Sequence, residues 1–124
     1  MKYSIAIHGG AGTIKKENMT AEKEAAYMKG LQTAVDAGFS VLEKGGSAVD
    51  AAVAATVALE DNILFNAGKG SVFGNKGEQE MDASVMDGSN IEAGAVAGIR
   101  NIRNPILLAK EVMLNSNHVF LVGN

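Results

Sequence analysis

Cysteine and tryptophan are absent from this sequence of 124 residues, which has only one proline and two histidines. A chain without cysteine can form neither disulfide bonds nor a thiolate zinc site, and it offers no thiol nucleophile. Two histidines are too few for most metal sites that are built from side chains. These absences exclude thiol chemistry and disulfide-stabilised folds, and they argue against a dedicated histidine metal site.

An excess of basic charge is also missing. The chain carries 11 Lys and Arg residues against 14 Asp and Glu residues, a formal net charge of -3, whereas nucleic-acid-binding domains usually have a strongly basic surface. The N-terminus reaches His8-Gly9-Gly10 after only three apolar positions, too few for a signal-peptide core or a membrane span. We therefore expect a cytoplasmic protein that acts on small molecules, with no nucleic acid and no membrane as partner.

Small residues dominate what the sequence does contain. Apolar residues make up 47% of the chain but aromatic residues only 5%, while 15 residues are glycine and alanine is more frequent still. Backbones can approach closely where side chains are this small. The length suits one domain, and no repeat or linker divides residues 1–124. A core with so few large side chains is thin, which suggests that the chain is part of a larger folding unit.

The first half of the chain has the pattern of a strand, a loop and two helices. Residues 3–7 alternate in polarity and predict a short strand that leads into the glycine-rich loop at 8–12. Thr20 and Ser47 are predicted N-caps of two helices, the second consisting almost entirely of alanine and valine. The spacing in the first helix predicts a buried face of five residues, Met28, Leu31, Val35, Phe39 and Leu42.

The second half begins with an irregular segment rich in glycine and asparagine, residues 60–77, and long ordered loops of this kind are often functional. Two strands, 81–86 and 91–99, then flank an Asp87-Gly88 turn and predict a β-hairpin. An asparagine cap followed by proline at the first helical position predicts a helix over 106–114, and a final strand follows over 118–122. The chain is therefore an α/β protein built in layers.

No complete catalytic set can be recognised from these residues alone. The loop at 8–12 matches neither dinucleotide-binding nor P-loop spacing, and His8 is interpreted as a structural residue because no carboxylate or second histidine lies nearby in sequence. Nor is there a Ser/His/Asp pattern or a nucleophile elbow. The side chains of Glu60, Asp61 and Asn62 could bind a hard cation, although they lack calcium-loop spacing, and backbone carbonyls of the loop are the alternative oxygen source.

Three segments form a more specific signature when they are read together and in register. They are IAIHGGAG at 5–12, LEDNILFNAGKG at 59–70, and MDASVMDG at 81–88 with GAVAG at 94–98. Together with Asn104-Pro105 and the last strand, they resemble the plant-type L-asparaginase and isoaspartyl aminopeptidase family of N-terminal-nucleophile hydrolases. The resemblance covers essentially the whole chain.

That resemblance implies a fold, a partner and a reaction. Members of the family fold as an αββα sandwich and are made as a precursor that cuts itself before a threonine, giving an α and a β subunit. This chain resembles the α-subunit half, so the β subunit would supply the threonine nucleophile, in an (αβ)2 heterotetramer. The implied activity is hydrolysis of L-asparagine to aspartate and ammonia and cleavage of β-aspartyl dipeptides. A free threonine amine can act as its own base, so no His or Cys is needed.

The resemblance also assigns site residues. Asn66 matches the asparagine that lies beside the nucleophile, where its amide could stabilise the oxyanion, and His8, Gly9 and Gly10 match a loop linked to autoprocessing. No organic cofactor is implied. A structural sodium ion is implied, as in bacterial members of the family. Its predicted ligands are the main-chain oxygens of Leu59, Glu60, Asn62, Phe65, Ala67 and Lys69.

Two alternatives remain open on the sequence. Glycosylasparaginase-like or taspase-like specificity would keep the family but change the substrate, and a non-catalytic small-molecule-binding module would use the glycine-rich loops for binding only. A second chain that co-purifies and begins with threonine would distinguish an enzyme from such a module.

Overall fold

The structure, a computed structural model, describes residues 2–12 and 15–123. It has a mixed α/β fold, which confirms the predicted fold class at this level. A 3-10 turn, Lys16–Asn18, precedes the first helix, and a second one, Gly68–Gly70, lies in the long loop. The remaining elements are α1 (Ala21–Glu43), α2 (Ala48–Glu60), β1 (Met81–Asp87), β2 (Glu92–Ile99), α3 (Pro105–Asn115) and β3 (Phe120–Val122).

Local capping signals place the first two helices. The Thr20 hydroxyl oxygen accepts a hydrogen bond from the backbone N–H of Lys23 at 3.1 Å, and the Ser47 hydroxyl oxygen accepts one from Asp50 at 3.0 Å. Both predicted N-caps are therefore confirmed. Each cap satisfies a backbone donor that the first helical turn leaves without a partner.

Glycine and alanine form the seam between α1 and α2. The buried residues of α1 are Gly30, Ala34 and Gly38, and a Cβ on Gly38 would lie 2.7 Å from the carbonyl oxygen of Ala51 on α2. The prediction that Met28 and Phe39 belong to the buried face is wrong, because they are 61% and 38% exposed. The two backbones touch, so the smallest residues occupy the contact and the larger ones lie at its sides.

The sheet contains three strands in the order β1-β2-β3. β1 and β2 form the predicted antiparallel hairpin, with a bulge between Met81 and Ala83. The turn is longer than Asp87-Gly88 alone: it runs to Ile91, which has a φ of 64° and donates its N–H to the Asp87 carbonyl oxygen at 2.8 Å. β3 pairs in parallel with β2 and begins at Phe120, two residues later than predicted.

One face of the sheet packs against α3. The core at this contact consists of Val96 and Ile99 from β2 and Ala109 and Val112 from α3. Gly94 lets the helix backbone approach the strand, since a Cβ at that position would clash with the carbonyl oxygen of Ala109. None of the helices in the described ranges has the length and hydropathy needed to cross a membrane.

The predicted strand at residues 3–7 is not a strand in the described part of the chain. Ile5 and Ile7 are half-buried while Ser4 and Ala6 are exposed, so the expected alternation is present. The segment packs along α1, where the Tyr3 and Phe39 rings meet edge to face with centroids 5.4 Å apart. No described residue forms a ladder with it, and a strand requires a hydrogen-bonded neighbour as well as an alternating sequence.

Candidate active-site loop

The long loop after α2 is anchored by a buried aromatic ring. Phe65 is 5% exposed and meets Tyr27 of α1 edge to face at 5.9 Å between ring centroids. Before it, Asn62 makes a local turn in which its Oδ1 accepts the N–H of Leu64 at 3.0 Å. These contacts fix the position of Asn66, the next residue along the chain.

The two glycine-rich loops that the sequence singled out lie side by side. A Cβ on Gly9 would be 2.7 Å from Leu31 Cδ2 and 3.0 Å from the Phe65 ring, so glycine lets the two segments approach closely. Gly10 has a φ of 109°, a left-handed conformation that favours glycine. His8 is exposed. The structure thus brings the predicted processing loop against the segment that carries Asn66.

The side chain of Asn66 is held by the backbone. Its Oδ1 accepts the N–H of Val72 at 3.0 Å, after the Gly68–Gly70 turn has reversed the chain. Gly70 permits this reversal because a Cβ there would clash with the carbonyl oxygen of Phe65. Among the described residues the Asn66 Nδ2 group has no acceptor, and the residue is exposed. The arrangement presents an oriented amide N–H₂ as a hydrogen-bond donor.

The loop also suits a hard cation bound by main-chain oxygens. The carbonyl oxygens of Asn62, Phe65 and Ala67 accept backbone N–H groups at 3.3, 2.8 and 3.0 Å, which leaves each a second lone pair. The carbonyl oxygen of Glu60 would lie 2.6 Å from a Cβ on Gly68, so a side chain at 68 would crowd that oxygen. No group of three or more His, Asp or Glu side chains in residues 2–12 and 15–123 could hold a metal ion. The oxygen atoms that this loop offers a cation are therefore main-chain carbonyls.

Glu60 has a second role that the sequence reasoning missed. It is only 3% exposed, and its Oε1 accepts the backbone N–H of Ile106 at 3.0 Å, so it caps α3. Burial raises the pKa of this carboxyl group, and its Oε2 has no hydrogen-bond partner among the described residues. The predicted cap, Asn104, makes no capping bond and instead donates to Asp61 Oδ1 at 3.2 Å. No sequence signal links residues 60 and 106, because the contact depends on the tertiary fold.

A bidentate ion pair joins the start of the loop to the segment that precedes α3. Arg103 donates through Nε and Nη2 to the two carboxylate oxygens of Asp61 at 3.0 and 2.9 Å. The hydrogen bonds from Arg103 lower the pKa of Asp61. An open cleft of about 770 Å³ lies beside this pair, and Lys69, Gln79 and Arg100 contribute to its lining.

Comparison with known proteins identifies the family of this chain. The family model described as asparaginase matches residues 1–124. The chain belongs to the asparaginase family. It is 50% identical over 121 residues to an isoaspartyl peptidase/L-asparaginase of Xenopus laevis, which covers 98% of this chain and 38% of the relative.

Two further relatives extend the range of organisms. An isoaspartyl peptidase of Escherichia coli is 47% identical over 122 residues, and a plant-type L-asparaginase of Pyrococcus abyssi is 51% identical over 120 residues. They cover 98% and 97% of this chain and 38% of their own length in each case. This asparaginase-family chain thus spans less than two fifths of the length of these curated relatives.

Within its described residues, the hydroxyl groups of the asparaginase-family chain that contact a carboxylate have local structural roles. The Ser47 and Ser89 hydroxyl groups donate to Asp50 and Asp87 at 2.8 and 2.7 Å, in a helix cap and a turn. The Thr33 hydroxyl group donates to a carbonyl oxygen of its own helix. Thr13 forms the only Gly-Thr pair of the sequence and lies outside the described residues. The described residues offer the amide donor of Asn66 and a loop with backbone carbonyl oxygens beside it.

Proposed function

We propose that this chain is the α-subunit portion of a threonine-nucleophile amidohydrolase. The reaction is hydrolysis of L-asparagine to aspartate and ammonia, together with cleavage of β-aspartyl dipeptides. Membership of the family and the names of the relatives support this activity. The observation that carries the proposal is the amide of the exposed Asn66, whose Oδ1 accepts the Val72 N–H.

A β subunit from the same precursor supplies the rest of the site in this proposal. The relatives are more than twice as long as this chain, which leaves room for the threonine nucleophile and the groups that bind substrate. Together the two parts would form an αββα sandwich and an (αβ)2 assembly. The outer edge of β3 supports such an extension, because Phe120 and Val122 are 56% and 70% exposed. A cytoplasmic location stays a prediction from the sequence.

The mechanism assigns Asn66 to the oxyanion. The threonine hydroxyl oxygen attacks the side-chain carbonyl carbon of the substrate, and its proton passes to the amine of the same threonine. Collapse of the tetrahedral intermediate expels ammonia, which takes up that proton, and water then hydrolyses the ester. The Asn66 Nδ2 group donates to the oxyanion while the Val72 N–H holds Oδ1, so the donor is preorganised before charge develops.

The cation loop has a supporting role. A sodium ion bound at residues 59–69 would neutralise part of the charge on the main-chain oxygens and stabilise the loop in one conformation. The carbonyl oxygens of Asn62, Phe65 and Ala67 retain a free lone pair each, and the glycines at 68 and 70 allow close backbone approach. The chain's own residues then keep Asn66 in position.

The test is the turnover of Asn66 variants in the full-length, processed enzyme. Asn66→Ala removes the donor, and Asn66→Asp replaces it with an anion of similar size. Removing one oxyanion donor typically lowers kcat by about 10²–10³-fold, so we expect at least that loss in both variants and a smaller change in KM. The matched control is Asn75→Ala, an exposed asparagine in the same loop.

Rates are expressed per active site, after both subunits have been detected. A loss of less than about threefold, or under about 1 kcal/mol, would remove Asn66 from the site. A panel of L-asparagine, a β-aspartyl dipeptide and a glycosylated asparagine measures which substrate is preferred. Activity on the glycosylated substrate alone would favour glycosylasparaginase-like specificity.

A further inference from the structure

The segment that follows Asn66 runs outwards and returns on itself. Phe73 and Gln79 form an isolated antiparallel bridge, and the Gly74 N–H donates to the Glu78 carbonyl oxygen at 2.9 Å. We call residues 71–80 the arm. Val72 and Phe73 on its outgoing side are 66% and 71% exposed. Because the side chains of Val72 and Phe73 are exposed, hydrogen bonds at the base of the arm help to fix the position of Val72.

Gln79 makes the bond that closes this base. Its Nε2 donates to the carbonyl oxygen of Ser71 at 2.6 Å and lies 3.5 Å from that of Lys69. The Ser71 carbonyl and the Val72 N–H belong to one planar peptide unit. Gln79 therefore holds one end of the peptide unit whose other end donates to Asn66 Oδ1 at 3.0 Å.

Neighbouring charges keep Gln79 facing the loop. Arg100 of the segment after β2 pairs with the carboxylates of Glu78 and Glu80, on either side of Gln79. Successive residues of an extended chain point to opposite sides. With residues 78 and 80 bound to Arg100, the Gln79 amide is left to donate to Ser71.

We infer that Gln79 is a positioning residue for Asn66, acting through the 71–72 peptide unit. The three amide groups form a chain of hydrogen bonds from Gln79 Nε2 to the Ser71 carbonyl and from the Val72 N–H to Asn66 Oδ1. Each bond in such a chain polarises the next, and the peptide unit cannot rotate while both ends are held. The result is a better oriented and more polar Asn66 Nδ2 donor. The inference rests on the proposed function of Asn66.

The experiment compares Gln79→Met with the unchanged full-length, processed enzyme. Methionine keeps the length of the side chain but has no N–H donor. One hydrogen bond contributes about 0.5–1.5 kcal/mol, so we expect kcat to fall about 2–12-fold with KM nearly unchanged. Hydrogen exchange at the Val72 amide should accelerate in parallel. The matched control is Gln32→Met on α1, which loses only a bond to Asp36 at 2.8 Å and should change neither quantity.

Two further variants separate the possible results. In Asn66→Ala/Gln79→Met, turnover should be no lower than in Asn66→Ala, because Gln79 acts through Asn66. If Gln79→Met is not processed, Gln79→Glu replaces it. The ionised carboxylate cannot donate to Ser71, but the protonated form can, so its kcat relative to the unchanged enzyme should recover as the pH falls towards about 4–5.

The exchange measurement keeps this inference distinct from the proposed function. Unchanged protection at Val72 in the Gln79 variant would overturn the inference whatever the rates are. The inference would also be overturned if the Gln79 variant lost its protection at Val72 but kept its full kcat, while Asn66→Ala was impaired. If Asn66→Ala keeps its kcat, the proposed role of Asn66 fails, and the inference that a donor is being positioned is overturned with it; Val72 exchange would then report only on the arm.

Discussion

At the scale of single residues, a buried carboxylate performs the task expected of an asparagine. Glu60 comes from the last turn of α2 and accepts the Ile106 N–H, while Asn104 bonds to Asp61 instead. The acceptor is matched to a backbone donor at the positive end of α3, which favours negative charge. Burial opposes ionisation and raises the pKa of Glu60. The hydrogen bond to Ile106 acts in the opposite direction.

Substitution at Glu60 separates the acceptor from the charge. Glu60→Ala leaves the Ile106 N–H buried without its partner, so the free energy of unfolding should fall by about 1–3 kcal/mol. Glu60→Gln keeps an acceptor oxygen, so we expect a change below about 1 kcal/mol. Denaturant unfolding of the full-length protein measures both, with Glu43→Ala at the exposed end of α1 as control. Equal losses in the two variants would show that the charge, and not the acceptor, stabilises α3.

At the scale of elements, the loop over residues 59–69 should respond to sodium. Carbonyl oxygens with a free lone pair can coordinate the ion. An ion that binds only the folded state raises the Tm. We expect a higher Tm of the full-length protein in sodium chloride than in choline chloride at the same ionic strength. Gly68→Ala should remove this difference, since a Cβ there would lie 2.6 Å from the Glu60 carbonyl oxygen at a φ of 50°. An identical Tm of the unchanged protein in both salts would contradict the ion site.

A second element-scale prediction concerns the contact of α3 with the sheet. Gly94→Ala would place a methyl group 2.8 Å from Met113 Cβ and closer still to the Ala109 carbonyl oxygen. Overpacking of this kind costs about 1–3 kcal/mol, and we expect that loss in the free energy of unfolding. Gly88→Ala in the hairpin turn meets nothing within 4 Å and serves as the control. A thermal unfolding midpoint for Gly94→Ala equal to that of the control would show that α3 can move away without cost.

Elements with local signals could be predicted, whereas those that depend on a neighbour could not. The caps at Thr20 and Ser47 and proline at the start of α3 act within one helical turn, so the sequence indicates them directly. The segment 3–7 has the right alternation but lacks a paired strand in the described chain. On α1, glycine is needed at position 38 because α2 lies against the helix there, and at position 30 because the long loop does.

The candidate site divides in the same way. The resemblance named Asn66 and the cation loop because their residue types follow a recognisable pattern. The bonds from Val72 to Asn66 and from Gln79 to Ser71 connect positions six and eight residues apart in an irregular loop. No periodicity describes such contacts, because they follow from the turn that Gly68 and Gly70 permit.

At the scale of the whole molecule, apolar surface is left uncovered. The edge strand β3 and the residue before it carry four large apolar side chains, and all four are exposed: Val119, Phe120, Leu121 and Val122. An exposed apolar edge strand pairs readily with other chains. Residues 3–7 add a second extended segment without a ladder in the described chain. Both features are consistent with a fold that is completed by the remaining length found in its relatives.

Expression of residues 1–124 alone tests this view of the molecule. The edge of β3 would be free to pair with other copies, so we expect aggregation or the absence of a cooperative unfolding transition. We also expect no hydrolysis of L-asparagine, because the hydroxyl groups of Ser47 and Ser89 that meet a carboxylate belong to a helix cap and a turn. Size-exclusion chromatography with light scattering and an ammonia-release assay measure the two properties, with the full-length, processed protein as control. A monomer that unfolds cooperatively would contradict the prediction that the uncovered edge of β3 makes the lone chain aggregate. Sustained asparagine hydrolysis by this chain alone would contradict the proposal that the site is divided between two subunits.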